Sequence, residues 1–168
     1  MRLRYLALPV ILAVLLAGCS PSPSEQLQAN KDLVHRFVNS LNEADWDALD
    51  GILAEDFCRR SQAGPVTVKS RADFKKLQRS FYETMPDQKV TLEIILAEDD
   101  KVAVYATYTG TMTGPMGGFE ATGKSLTSRF LGIFRIEENR IAELWIEMDN
   151  LAMFNQLGLS PQPAIGSD

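Results

Sequence analysis

Apolar residues recur at helical spacing in the first half of the chain and at alternate positions in the second. Leu33, Val34, Phe37, Val38 and Leu41 form one helical stripe. Ser22 suits its N-cap, Pro23 its first turn and Glu25 the far half of a capping box. Asn42-Glu43-Ala44 breaks the stripe, and Asp45 is placed to cap a shorter helix carrying Trp46, Leu49, Ile52 and Leu53. Phe57 to Ser61 reads as a short strand and Gln62 to Pro65 as a turn. Ser70 and Asp73 then open a helix with Phe74, Leu77 and Phe81 inward, ended by Pro86.

Beyond Pro86 the period becomes two. Val90, Leu92, Ile94 and Leu96 alternate with polar residues, and Glu98 to Lys101 is a turn. Val102–Met112, Leu126–Ile136 and Ile141–Met148 are three further strands. A Gly- and Pro-containing loop, Thr113 to Lys124, separates the first two, and Glu137 to Arg140 joins the last two as a tight hairpin. A short helix with Leu151, Phe154 and Leu157 ends at Gly158. Helices followed by an antiparallel meander make an α+β domain, with a pocket expected between helices and sheet.

The amino terminus stands apart. Met1-Arg2-Leu3-Arg4 precedes the uncharged apolar run Tyr5 to Leu16, a secretory leader too short to span a bilayer. Leu16-Ala17-Gly18-Cys19 is similar to a bacterial lipobox, which implies cleavage before Cys19 and a lipid-modified (diacylglycerol and palmitate-type) cysteine. The expected organisation is a signal peptide over residues 1–18 and lipidated Cys19 with a Ser/Pro tether over 19–24. The domain follows over 25–159 and a loose tail over 160–168. The expected location is the cell envelope, outside the cytoplasm. Ser20 rather than Asp after the cysteine points to the outer membrane where the host has one.

Charge narrows the partners. The chain has 168 residues, with 17 Lys plus Arg against 22 Asp plus Glu. Loss of residues 1–18 removes Arg2 and Arg4 and no acid, leaving 15 basic residues against 22 acidic. That balance gives no footprint for nucleic acid and no attraction to anionic headgroups, so attachment rests on acyl chains. With Cys19 modified, Cys58 has no disulfide partner and reads as a small buried apolar residue. His35 is the only histidine and reads as a surface residue; one His and one unmodified Cys offer no metal site, and no cofactor motif is present.

Candidate site residues cluster on the strands. Trp145, Glu147 and Asp149 share one parity of the last strand; Leu144, Ile146 and Met148 share the other. Two readings stay open. Either the apolar set is buried and the acids face water, or Trp145 and Asp149 point into the pocket, where desolvation fits Asp149 for proton transfer. Asp149 also suits an N-cap for the final helix. Tyr105, Tyr108 and Arg129 lie on strands as further pocket candidates. Met112, Met116 and Phe119 read equally as core contacts or as an apolar lid.

Several segments together resemble the SnoaL-like polyketide cyclase (ester cyclase) family, of cone-shaped nuclear-transport-factor-two-like fold. They are Arg36-Phe37, Asp45 to Leu49, Ala54 to Phe57, Pro86-Asp87, Gly110 to Gly114, Thr122 to Lys124, Ile133 to Ile136, Ile141 to Trp145 and Glu147 to Asp149. The resemblance spans roughly residues 30–158. It implies helices packed on a curved, mostly antiparallel sheet and cofactor-free ring closure with an acid/base residue matching Asp149. Many relatives carry a His soon after the segment matching Glu55-Asp56-Phe57. Here Cys58-Arg59-Arg60-Ser61 follows, so either Arg59 or Arg60 takes that place or that part of the site is missing. Two functions follow: an exported acid/base enzyme of cyclase type acting through Asp149, or a non-catalytic module for a small apolar molecule or a protein. Polyketide assembly is cytoplasmic, so the leader favours binding or another chemistry. The resemblance also implies a homodimer through the convex sheet face.

Overall fold

The computed structural model describes residues 21–61 and 68–159. The leader, Cys19, the turn at 62–65 and the tail from 160 lie outside the described residues. Helix α1 runs Pro23–Asn42, helix α2 Leu49–Ile52 and strand β1 Leu53–Arg60. Helix α3 (Arg71–Thr84) precedes strands β2 (Lys89–Glu98), β3 (Lys101–Thr111), β4 (Ser125–Glu137) and β5 (Arg140–Met148), and helix α4 (Asn150–Leu157) closes the domain.

Local chemistry sets most boundaries. Ser22 and Glu25 form the reciprocal capping box on α1. Ser70 accepts from the Asp73 amide to start α3. Gly158 takes the left-handed conformation that ends α4. The second helix differs from expectation: it is a single turn. Asp45 Oδ1 caps the preceding turn by accepting from the Ala48 amide at 3.0 Å. Leu53, expected in that helix, instead begins β1 and pairs with Ile141 of β5. Pairing with a strand some ninety residues away overrides the local helical spacing, and β1 therefore starts four residues before Phe57.

The sheet order is β1-β5-β4-β3-β2, with β1 parallel to β5 and every other pair antiparallel. One face carries Val102, Val104, Ala106, Phe130, Phe134 and Leu144, all buried under α1 and α3. Aromatic rings knit these layers. Phe37 of α1 stacks on Phe74 of α3 at 5.7 Å and meets Phe134 edge-on at 5.5 Å. A second core, Met85, Met112, Leu126, Leu157 and Leu159, seals the end of the sheet under α4.

Two asparagines pin α1 along the sheet. Asn30 Nδ2 donates to the Asp99 carbonyl in the β2–β3 turn, and Asn42 exchanges two hydrogen bonds with the Val90 backbone. The amino end of α1 therefore lies beyond the Asp99 turn, at the far end of the sheet from the second core. Among the described residues, no helix is long and apolar enough to cross a membrane.

Candidate functional site

Between the two layers lies a cavity of about 730 Å³. Its floor follows strand register. Phe134 sits opposite Leu144, Phe130 opposite Met148, and Tyr108 opposite both Val90 and Ser128. Phe37, Val38 and Leu41 of α1 and Phe74, Leu77 and Phe81 of α3 form the roof. Such a site, apolar with few polar groups, is the usual form of a small-molecule pocket.

The mouth has a built lid. The amides of Thr113 and Gly114 both donate to the Thr84 carbonyl at the end of α3, at 3.0 and 2.9 Å. Thr84 Oγ1 in turn donates to the Pro115 carbonyl. Beyond this root, Met116 and Phe119 pair through two backbone hydrogen bonds around Gly117 and Gly118. Both glycines have positive φ, which a two-residue turn of this kind requires. The tip thus presents Met116 and Phe119 to the cavity, with Met153 and Phe154 of α4 beside them. Met112, by contrast, is fully buried in the second core.

Polar lining groups are few. Asn42 is committed to Val90. Tyr108 donates its hydroxyl proton to Gln88 Oε1 at 2.7 Å, and burial pushes its phenol well above the usual tyrosine range. Gln88 is buried, and its Nε2 has no hydrogen-bond partner among the described residues. Arg59 reaches the cavity from β1. Burial pulls its guanidinium below the ordinary arginine value, opposed by the charge of Glu147. Gln78, Lys89, Ser61 and Asn150 complete the polar set. No carboxylate and no imidazole lines the cavity among the described residues.

The structure divides the sequence candidates between two faces. Tyr108, Met116 and Phe119 line the cavity. Trp145, Glu147, Tyr105 and Arg129 do not; they share the opposite sheet face, where Ile133 pairs with Trp145 and Leu131 with both Tyr105 and Glu147. Arg60 also points away and pairs with Glu143 at 3.1 Å, so of the two arginines it is Arg59 that enters the cavity. Asp149 is exposed. Its Oδ1 accepts from the Ala152 amide at 2.9 Å as the N-cap of α4, while its neighbours Met148 and Asn150 line the cavity. Of the two orientations left open for β5, this arrangement has the apolar parity inward, because Leu144, Ile146 and Met148 pack under the helices while Trp145 and Asp149 stay outside the cavity. Cys58 is half-buried rather than buried, since it shares the outward parity of Arg60. His35 is exposed on α1.

Gln88 and Gln78 carried no sequence signal. Gln88 follows the Pro86-Asp87 segment, and only the contact with Tyr108 reveals it. Among the described residues, no group of three or more His, Cys, Asp or Glu is placed to hold a metal ion.

Comparison with known proteins agrees with this architecture. The family described as SnoaL-like polyketide cyclase matches residues 31–157. TsrD from Streptomyces laurentii is 28% identical, with a TM-score of 0.71 over 79% of this chain and 97% of its own. A SnoaL-like protein from Jannaschia sp. CCS1 superposes with a TM-score of 0.74 at 20% identity, covering 86% of this chain and 100% of its own. An LEH-like epoxide hydrolase from M. tuberculosis shares the fold at 19% identity and a TM-score of 0.65, over 79% of this chain and 91% of its own. No curated protein matches the chain.

Proposed function

The chain belongs to the SnoaL-like polyketide cyclase family, and on that premise we propose that it is an envelope-anchored lipoprotein whose cavity binds a small, mostly apolar molecule. The observation that carries this reading is the cavity of about 730 Å³ between helices and sheet, lined chiefly by aromatic and aliphatic side chains and bordered by the rooted 113–119 loop. The fold does not choose the chemistry, since it also carries an epoxide hydrolase. Acid/base work needs a titrating group within reach of the bound molecule. The described lining carries Tyr108, whose hydroxyl is bonded to Gln88, with Arg59 and Lys89, but no carboxylate or imidazole of the kind the family resemblance implies, and this favours binding.

A second reading is cyclase-type catalysis through Asp149. It is supported by the position of Asp149 between two lining residues, Met148 and Asn150. It requires the carboxylate to give up its cap on α4 and turn inward.

Anchoring through Cys19 would place α1 nearest the membrane. The Phe119 and Phe154 rim lies at the other end of the sheet, so it would face away from the bilayer and exchange its ligand with the aqueous space. The outer sheet face is the surface for a homodimer, since Ile94, Leu96, Leu131 and Ile133 are exposed there.

The test is saturable binding of N-phenyl-1-naphthylamine, an uncharged apolar fluorophore. Met148→Trp, which projects an indole from a partly exposed lining position, should weaken it about tenfold while circular dichroism still reports a folded domain. Equal binding by both proteins would place the fluorophore elsewhere and defeat the reading.

A further inference from the structure

We infer that Gln88 is the recognition group of the cavity for an oxygen acceptor, so the bound molecule is an apolar body bearing a ketone, ester or carboxyl carbonyl that receives a hydrogen bond from Gln88 Nε2. The inference rests on the reading of the cavity as a ligand site.

Gln88 is only 9% exposed and lines the cavity. Its Oε1 is occupied by the Tyr108 hydroxyl at 2.7 Å, which orients the amide. Nε2 is left buried with no partner among the described residues. Buried amide donors are almost always paired, because leaving one unmade forfeits its hydration without return. An orphan of this kind on a ligand-sized cavity therefore marks where the ligand supplies the missing acceptor.

The surroundings hold the amide in place. The Gln88 backbone N–H donates to the Met85 carbonyl at 3.1 Å, which fixes the main chain that carries the side-chain amide. Gly110 packs so closely that an added Cβ would lie 3.2 Å from Met85 Cβ and 3.4 Å from Gln88 Cα. Tyr108 and Val90 on the neighbouring strands wall the same corner. The nearby Asn42 amide is held by the strand, its Nδ2 donating to the Val90 carbonyl and its Oδ1 accepting from the Val90 amide, whereas Gln88 Nε2 has no such bond. Gln88 thus offers two N–H bonds in a largely apolar setting, where hydrogen bonds gain strength and a mismatched ligand loses most.

The role is one of specificity. A hydrocarbon of the same shape fills the cavity but leaves Nε2 unpaired, so the site distinguishes a carbonyl compound from its deoxygenated counterpart. Tyr108 acts as the positioning residue: by occupying Oε1 it leaves Nε2 as the amide group still to be paired.

The experiment compares 9-fluorenone with fluorene, which differ by one carbonyl oxygen on the same rigid frame. Equilibrium dialysis with the full chain, against protein-free controls, measures both affinities for the wild type, Gln88→Leu and Tyr108→Phe. The wild type should favour fluorenone about tenfold after correction for partitioning. Gln88→Leu should bring that ratio near one while fluorene still binds, which shows that the cavity is intact. Tyr108→Phe should lower the ratio without abolishing it. The carbonyl stretch of bound fluorenone should move to lower frequency in the wild type and return in Gln88→Leu. Equal affinities in the wild type, or a ratio unchanged in Gln88→Leu, would overturn the role of Gln88 and leave the apolar cavity standing. Binding of neither compound to the wild type would overturn the cavity reading and this proposal together.

Discussion

Gly114 lies against the backbone of Glu83 so tightly that a Cβ added to it would fall 2.2 Å from the Glu83 carbonyl oxygen. This contact seats the root of the lid on the last turn of α3. Gly114→Ala should force the two backbones apart and break the paired bonds to Thr84, costing about 1–3 kcal/mol, the usual range for overpacking. A lower thermal midpoint with weaker binding of N-phenyl-1-naphthylamine is the expected result. Wild-type values for both would show that the lid is not held here.

Asp149 separates structural from chemical roles. Asp149→Ala removes the cap on α4 and should cost about 1 kcal/mol, whereas Asp149→Asn keeps an acceptor and should be nearly neutral in stability. Under the binding reading, Asp149→Asn leaves ligand affinity unchanged. Under the cyclase reading it lowers turnover of a ring-closing substrate by about 100-fold to 10,000-fold. Thermal melts alongside affinity or rate decide between them.

Asp87 gives the acid limb of stability a specific source. Its side chain hydrogen-bonds to Thr111, accepting from the backbone amide at 2.7 Å, and this holds its carboxyl below the usual aspartate range. A carboxyl lowered in the folded state stabilises above its unfolded value near 4, and the contribution fades as pH falls through the folded value. Between pH 5 and pH 3 the wild type should therefore lose more thermal stability than Asp87→Asn. Parallel pH curves for the two proteins would contradict this origin.

Anchoring is tested at Cys19. On the proposed lipid anchor, Cys19→Ala should shift the protein from the membrane fraction to the soluble periplasmic or secreted fraction, because acyl chains would carry the attachment. Membrane association that survives the change would argue against the lipobox.

Dimerisation is tested at the outer sheet face. Leu131 is 63% exposed and Ile94 52%, on the same sheet face as Ile133, with Leu131 and Ile94 both opposite Tyr105. Sedimentation of the wild type at micromolar concentration should report a dimer, and Leu131→Arg a monomer with an unchanged melt. A monomeric wild type at every concentration would remove the interface.

Much of the architecture was legible because it depends on neighbours in the chain. Ser22 with Glu25, Ser70, Asp149 as a cap, and Gly158 each satisfy or end a helix through groups three or four residues away. The alternation in β2 through β5 likewise marks strands and their two faces. What alternation does not say is which face is covered. In β5 both parities hold large apolar groups, Trp145 on one and Leu144, Ile146 and Met148 on the other, so only the packing of α1 and α3 chose the second. The parallel pairing of β1 with β5 made Leu53 a strand residue and sent Arg59, not Arg60, into the cavity. The Gln88–Tyr108 contact joins residues twenty positions apart, one just before β2 and the other in β3, and its significance lies in burial, which no single residue encodes. Short-range hydrogen bonding and periodicity are written in the order of residues. The covered face and the unpaired donor arise only when distant segments exclude water together.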